Sequence, residues 1–520
     1  MIVELLRETL FTRKLDDDVR SIETHSLFSL DFQVPSALLA VLAKRTNTND
    51  DGDHAKANAN ANATTETILC ALLPPDFGFY YQLVAIVLLQ SVFNVILGAF
   101  VYKIIIEPRR QRQQRNKAKA KAMDTEHESN ATPIGNSNSN KIYYSDDLSS
   151  GTAALFAFGI AMPCVILEPI YAIRAFEIRN VGLIMVFLAT PIVNSLRITE
   201  ALSGFAPIPS QTSLRNYVAY FSCLFGMEFD PSTGTPKRVT QLFFRKRLAT
   251  LGRDFVIVSL LISFLKPYEF EFFDSSSSTI AIAAAAAAPV NSVDHTLLEM
   301  LSWKHLLNNF LVAFLISASL SQSSLGVSLV YNIIYGVQTY EVVLNPMLKS
   351  TSPSDFWGRR WNMLVHRGLK NGIYKPTRKH TSSKLLAVVA TFVVSGIIHE
   401  YVNYAMFTGQ GSSNHDSFND HEMLEASAAS AAVEETYEFT WKQMLFFGWN
   451  GVLILLEYCI GHWAIFRWMS RTLPPIVVTA LVLCCALPLA HFFTGDWIKH
   501  GYFDAVLLAE PIVVCSRRGE

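Results

Sequence analysis

The stretch that most restricts this chain is residues 385–407, LLAVVATFVVSGIIHEYVNYAMF. A helix rises about 1.5 Å per residue, so a stretch of this length crosses a hydrocarbon core of roughly 30 Å. Yet His399 and Glu400 lie within it. Ionisable groups at membrane depth are costly, and they turn toward a protein interior or a wet cavity. On a helix, Ser395, His399 and Asn403 recur every four residues and share one face. The stretch therefore predicts a polar stripe, with an imidazole at its centre, inside a bundle of other helices.

Composition agrees. Half of the 520 residues are hydrophobic and only 17% are charged, against about 25% charged in soluble domains. Mean hydropathy is +0.26. The formal net charge of −1 gives no bulk attraction for nucleic acid. The cysteines Cys70, Cys164, Cys223, Cys459, Cys484, Cys485 and Cys515 are scattered without CxxC spacing. They read as buried free thiols, and no metal site is expected. The charged start MIVELLRETLFTRKLDDDVR does not read as a secretory signal.

Read in order, the chain divides into five regions. Residues 1–75 form an N-terminal region that is partly low-complexity; within it, residues 27–42 read as an interfacial or short embedded segment. Residues 76–147 hold the first span, 79–106, and a polar loop that opens with Arg109, Arg110, Arg112, Arg115, Lys117, Lys119 and Lys121. Such a block beside a membrane exit marks the cytosolic side. Residues 148–344 form the N-terminal part of the bundle. It has spans at 153–167 and 181–196, each with a proline (Pro163, Pro191), and a long basic connection over 200–254. A short apolar run at 255–265, an alanine run at 280–288 and spans at 297–320 and 325–337 follow. Residues 345–510 hold the central span and further spans at 444–460 and 475–493, and 511–520 form a tail. The expectation is an all-α polytopic membrane bundle of 8–10 spans, with both termini on one side if the count is even. The loop before the central span is basic and the loop after it acidic, which sets the basic side in the cytosol.

Two readings of His399 stand together. It can be a histidine that only hydrogen-bonds between helices. It can also be a general base, because a neutral imidazole accepts a proton and its ordinary pKa of about 6.5 suits that work. Ser395 or Asn403, one turn away, could orient the ring. The second candidate region is SPSDFWGRRWNMLVHRG, residues 352–368. Trp357 and Trp361 alternate there with Arg359, Arg360 and Asn362. Spacing alone favours an interfacial anchor, since tryptophan and arginine suit headgroup depth. The alternative is a site for a large anionic cosubstrate, with Arg359 and Arg360 near phosphates. Glu400 lies about 100° around the helix from His399 and so faces other groups. Glu457, within GVLILLEYCIGHW, pairs with a donor on the structural reading, and His462 is interfacial. HDSFND, residues 415–420, has an H-x-x-x-x-D spacing in a Ser/Asn-rich loop and is taken as chance.

SPSDFWGRRWN followed by ATFVVSGIIHEYVNYAMF resembles the signature pair of the wax synthase family, within the membrane-bound O-acyltransferase superfamily. The likeness covers about residues 345–408, and the 37 residues from Asn362 to His399 are similar to the spacing of the superfamily's Asn and His pair. The resemblance implies a helical bundle with a central reaction chamber in the endoplasmic reticulum membrane. It implies acyl transfer from acyl-CoA to the hydroxyl of a long-chain alcohol, with His399 as base and Asn362 as second active-site residue. Trp357, Arg359, Arg360, Trp361, Ser395 and Asn403 are the candidates to bind substrate or acyl-CoA. Acyl-CoA is a co-substrate; no permanently bound cofactor is required. The partners implied are membrane lipids, acyl-CoA and the alcohol, without nucleic acid. Diacylglycerol, a sterol or another hydroxylated metabolite are alternative acceptors. A lipid transporter is the alternative of a different class, and it would show flux without consuming acyl-CoA. The oligomeric state is not legible in the sequence.

Overall fold

The computed structural model describes residues 77–128, 151–176, 178, 180–268, 270, 300–407, 440–507 and 509–510. It also describes the backbone of short strands at 29–32, 68–73 and 512–517. The main helices are, in chain order, α1 (Gly78–Lys121), α2 (Gly151–Ala175), α3 (Val181–Ser203), the short α4 (Leu214–Ser222) and α5 (Gln241–Leu265). Next come α6 (Trp303–Tyr335), the short α7 (Met363–Leu369), α8 (Lys384–Phe407) and α9 (Lys442–Ile460). The last are α10 (Ala464–Thr472), α11 (Pro475–Leu489), α12 (His491–Lys499) and α13 (Tyr502–Leu507). Among the described residues, seven helices are long and apolar enough to cross a membrane, or eight if α11 and α12, bent by 60°, form one span. The architecture is the all-α polytopic bundle expected; the described residues hold seven or eight of the 8–10 spans, and the alanine run at 280–288 is not among them.

The polar run SQSS does not divide two spans at 297–320 and 325–337. α6 runs through it as a single helix of 33 residues, from the Ser302 cap to Gly336 in the left-handed region. Its polar groups find partners: Ser321 donates to Asp254 at 2.7 Å, and Gln322 donates to Glu510 at 2.6 Å. A satisfied polar side chain gives a helix no reason to stop. The basic connection expected over 200–254 is also shorter, because α5 starts at Gln241 behind the Thr240 cap and includes the apolar run 255–265. The alanine run at 280–288, the HDSFND segment and most of the acidic loop lie outside the described residues.

Prolines inside the spans have local remedies. Pro191 has no N–H, so the carbonyl of Phe187 lacks its helical donor. Gln90 of α1 supplies one, donating to that oxygen at 2.5 Å, and accepts from Thr190 at 2.9 Å. One turn on, Asn194 donates to Asn94 at 2.6 Å. These bonds fasten α1 to α3. Buried Arg197 of α3 donates to the carbonyls of Phe221 at 2.9 Å and Cys223 at 2.7 Å. A cation there meets the negative end of α4.

The two ends of the bundle meet. Tyr80, at the start of α1, donates to the carbonyl of Ala509 at 2.5 Å. β1 (Ser29–Phe32), β2 (Ile68–Leu73) and β3 (Ile512–Arg517) form an antiparallel sheet in that order, with Cys70 opposite Cys515. Within 27–42, read as an interfacial or short embedded segment, residues 29–32 form a strand of this sheet, and the rest lies outside the described residues. With α11 and α12 counted together as an eighth span, the described helices cross an even number of times, in keeping with a chain that leaves on the side where it entered. Alternation then puts the connections after α1, α3, α6 and α9 on one face. That is the face with the basic block after α1 and the motif segment before α8. Of the cysteines whose side chains are described, only Cys223 is buried. Cys164, Cys459, Cys484 and Cys485 are exposed on membrane helices, which corrects the expectation of buried thiols: a lipid-facing thiol is as dry as a buried one.

Candidate active site

α8 carries the imidazole. Nδ1 of His399 lies 2.7 Å from the carbonyl oxygen of Ser395. A carbonyl only accepts, so Nδ1 holds the ring's proton and donates it. The lone pair of the neutral ring is therefore on Nε2. It is the backbone of Ser395 that orients the ring. The ring lies against Phe447 of α9, centroids 4.2 Å apart, and edge-on to Phe493 of α12 at 5.6 Å. Gly396 lets the two helices close. A Cβ there would sit 2.5 Å from Met444 Sδ and 3.1 Å from its Cα.

The flanking polar residues of α8 are used elsewhere. Glu400 is fully buried and accepts from the backbone N–H of Gln443 at 3.0 Å, at the N-terminus of α9. Asn403, predicted on the histidine's stripe, accepts from the indole of Trp497 at 2.9 Å and so ties α8 to α12. Its oxygen is committed to that bond.

The motif segment folds on itself before it meets α9. Ser352 caps a short helical turn by accepting from the N–H of Asp355 at 3.1 Å. Asp355 accepts from Arg360 Nε at 2.6 Å and from the N–H of Thr351 at 3.1 Å. Burial alone would raise the Asp355 carboxyl, but these hydrogen bonds hold it below the usual carboxylate range. Arg360 is thus engaged within the segment. Arg359 is exposed and forms no ion pair among the described residues. Phe356 and Trp361 stack at 5.2 Å. Trp357 meets Phe447 at 5.8 Å and donates from its indole to Asn450 at 2.9 Å. Phe447 therefore touches both the motif tryptophan and the histidine ring.

Asn362 caps α7, its Oδ1 accepting from the N–H of Val365 at 3.2 Å. Its Nδ2 donates to no partner among the described residues and remains a donor. In α7, burial and the neighbouring cations Lys370 and Arg367 push the His366 imidazole down to about 4.

A small pocket lies behind the tryptophans, between α6, α9, α11 and α12. Its walls include Ala313, Trp357, Trp361, Phe446, Ala490 and Phe493. They are almost wholly apolar, suited to hydrocarbon. His399 and Asn362 do not line it; the wall of Phe446, Phe493 and Trp357 is what the pocket shares with the histidine's surroundings. Its far side is the bend between α11 and α12. There Asn309 donates to the carbonyl of Leu487 at 2.9 Å, which also accepts from the N–H of Ala490 at 2.9 Å, and His305 lies 3.3 Å from the carbonyl oxygen of Pro488. No group of three His, Cys, Asp or Glu side chains that could hold a metal occurs among the described residues.

Sequence reasoning singled out His399, Asn362 and the motif but passed over Phe447, Asn450 and Phe493. Phe447 and Asn450 had a legible signal, since they lie three residues apart on one face of a membrane helix. Glu457 is on that face too, and it accepts from the N–H and the hydroxyl of Ser354, both at 2.7 Å.

Residues 340–418 match the sequence profile of the membrane bound O-acyl transferase family. Among curated relatives from Arabidopsis thaliana, an acyl-CoA–sterol O-acyltransferase is 33% identical over 156 residues, covering 28% of this chain and 37% of that protein. A probable long-chain-alcohol O-fatty-acyltransferase is 42% identical over 72 residues, 12% of this chain and 21% of its own length. Another protein of the latter kind is 29% identical over 190 residues, 34% of this chain and 46% of its own. The chain thus spans less than half the length of each of these relatives.

Proposed function

Taking the chain as a wax synthase-like member of the membrane bound O-acyl transferase family, we propose that it transfers a fatty acyl group from acyl-CoA to the hydroxyl of a long-chain alcohol. The observation that carries this reading is the bond from His399 Nδ1 to the Ser395 carbonyl. It leaves Nε2 as a basic nitrogen inside the membrane, where a lipid alcohol is found.

His399 Nε2 takes the hydroxyl proton as the alcohol oxygen attacks the thioester carbonyl carbon. Asn362 Nδ2 donates to the carbonyl oxygen as negative charge gathers there. The carbon–sulfur bond then breaks, and the proton passes from His399 to the leaving thiolate. Ester and free CoA are the products, and no acyl-enzyme is needed. Arg359, on the basic face, offers its guanidinium to the phosphates of the CoA. The hydrocarbon reaches the site from the lipid. The endoplasmic reticulum suits such a reaction, because its substrates meet there with CoA on the cytosolic side.

Microsomes that contain the chain are supplied with a labelled acyl-CoA and a panel of long-chain alcohols, sterols and diacylglycerol. Ester formation is expected with the alcohols. His399→Ala is expected to lower it at least about a hundredfold, in keeping with the 10²–10⁴ typical of general bases, at unchanged protein abundance. Full activity in that variant would defeat the mechanism. Sterol ester as the sole product would move the acceptor to the class named for the first relative above.

A further inference from the structure

We propose that Glu457 is a positioning residue for this acyl transfer, holding the segment 352–362 in register with His399; the inference rests on the reading above. Phe447, Asn450 and Glu457 fall at intervals of three and seven residues, so they share one face of α9. Each makes a different contact along it. Phe447 lies on the His399 ring at 4.2 Å. Asn450 accepts from Trp357 at 2.9 Å. Glu457 accepts from both the N–H and the hydroxyl of Ser354 at 2.7 Å.

From Phe447 to Glu457 is about 15 Å of helix. One rigid element therefore touches the base at one end and the start of the motif segment at the other. A carboxylate in the apolar run VLILLEYCI is expensive unless it is engaged. Two hydrogen bonds to an anion are strong ones, and they answer that cost. The segment they hold carries Trp357, Arg359 and Asn362 within eight residues of Ser354. Glu457 touches none of the reacting atoms. It acts through where it keeps that segment.

The test is a double-mutant cycle on the full chain in microsomes, with Glu457→Gln, Ser354→Ala and the pair. Each single variant is expected to lower kcat about tenfold, with KM for the alcohol unchanged within about twofold, and the pair to fall no further. Abundance and thermal midpoint serve as controls. Independent multiplying losses, or a wild-type kcat in Glu457→Gln, would overturn the proposal. If Glu457→Gln does not accumulate, Ser354→Ala alone decides, and wild-type turnover there overturns it. An unsubstituted chain that forms no ester with any acceptor would instead sink the acyl-transfer reading, and this inference with it.

Discussion

The Phe447 ring stands between His399 and Trp357, 4.2 Å from the first and 5.8 Å from the second. It therefore fixes the distance between the candidate base and the motif. Phe447→Ala should cost about 3–5 kcal/mol of stability, as large aromatic truncations do, and lower ester formation more than about tenfold. Phe447→Leu should keep most of the stability and still lose activity. Melting in detergent and microsomal turnover check the two together.

Because the backbone of Ser395 holds the ring, its hydroxyl should be dispensable. Ser395→Ala is expected to retain activity within about twofold, the range of a surface-like change of up to 0.5 kcal/mol. A tenfold loss in the esterification assay would mean that the side chain, not the carbonyl, orients the imidazole.

Gly396 permits the close approach of α8 and α9. Gly396→Leu forces a side chain onto Met444, whose Cα would lie 3.1 Å from the new Cβ. Overpacking of this kind costs about 1–3 kcal/mol. Lower abundance, a lower thermal midpoint and lost activity are expected at once, whereas Gly448→Ala, which meets nothing within 4 Å, should be silent.

His366 gives the segment an acid sensitivity. Burial, with Lys370 and Arg367 beside it, lowers its pKa to about 4 in the folded chain, from an ordinary 6.5. The unfolded chain thus takes up a proton between these values that the folded chain does not. Stability is fully present above pH 6.5 and falls as the pH drops toward 4. The thermal midpoint should decline over that window, and the decline should shrink in His366→Gln. An equal decline in both would show that other groups govern it.

Orientation can be read from glycans. Asn62 and Asn130 each lie in an N-x-T sequon, and both lie outside the described residues. With the basic block in the cytosol, Asn62 is modified and Asn130 is not. Endoglycosidase shifts of the two Asn→Gln variants separate the cases, and modification of Asn130 would reverse the topology.

The long spans were legible because continuous apolar length is a one-dimensional property. The separation of Asn362 and His399, and the motif between Ser352 and Asn362, stood in the sequence in the same way. What was hidden depended on partners distant in the chain. Nothing near Pro191 announces that Gln90 will supply its missing donor. The polar run in α6 looked like a break because Asp254 and Glu510, which satisfy it, lie 67 and 188 residues away. Asn403 was placed on the stripe of His399 by helical spacing, yet Trp497 claims its oxygen. Periodicity identifies a face of a helix but not which neighbour it meets. Arg359 and Arg360 are adjacent and alike in sequence. Only the fold shows that one is spent on Asp355 and the other is offered to the surface.

Tyr80 and Ala509 are 429 positions apart, and a ribosome makes the first long before the second. During synthesis, then, the Tyr80 hydroxyl waits without this acceptor until residue 509 has been made. The bond is a late fastening on helices that have already packed. Chains truncated before residue 509 would lack this fastening, even though every residue of the motif and of α8 had already been made.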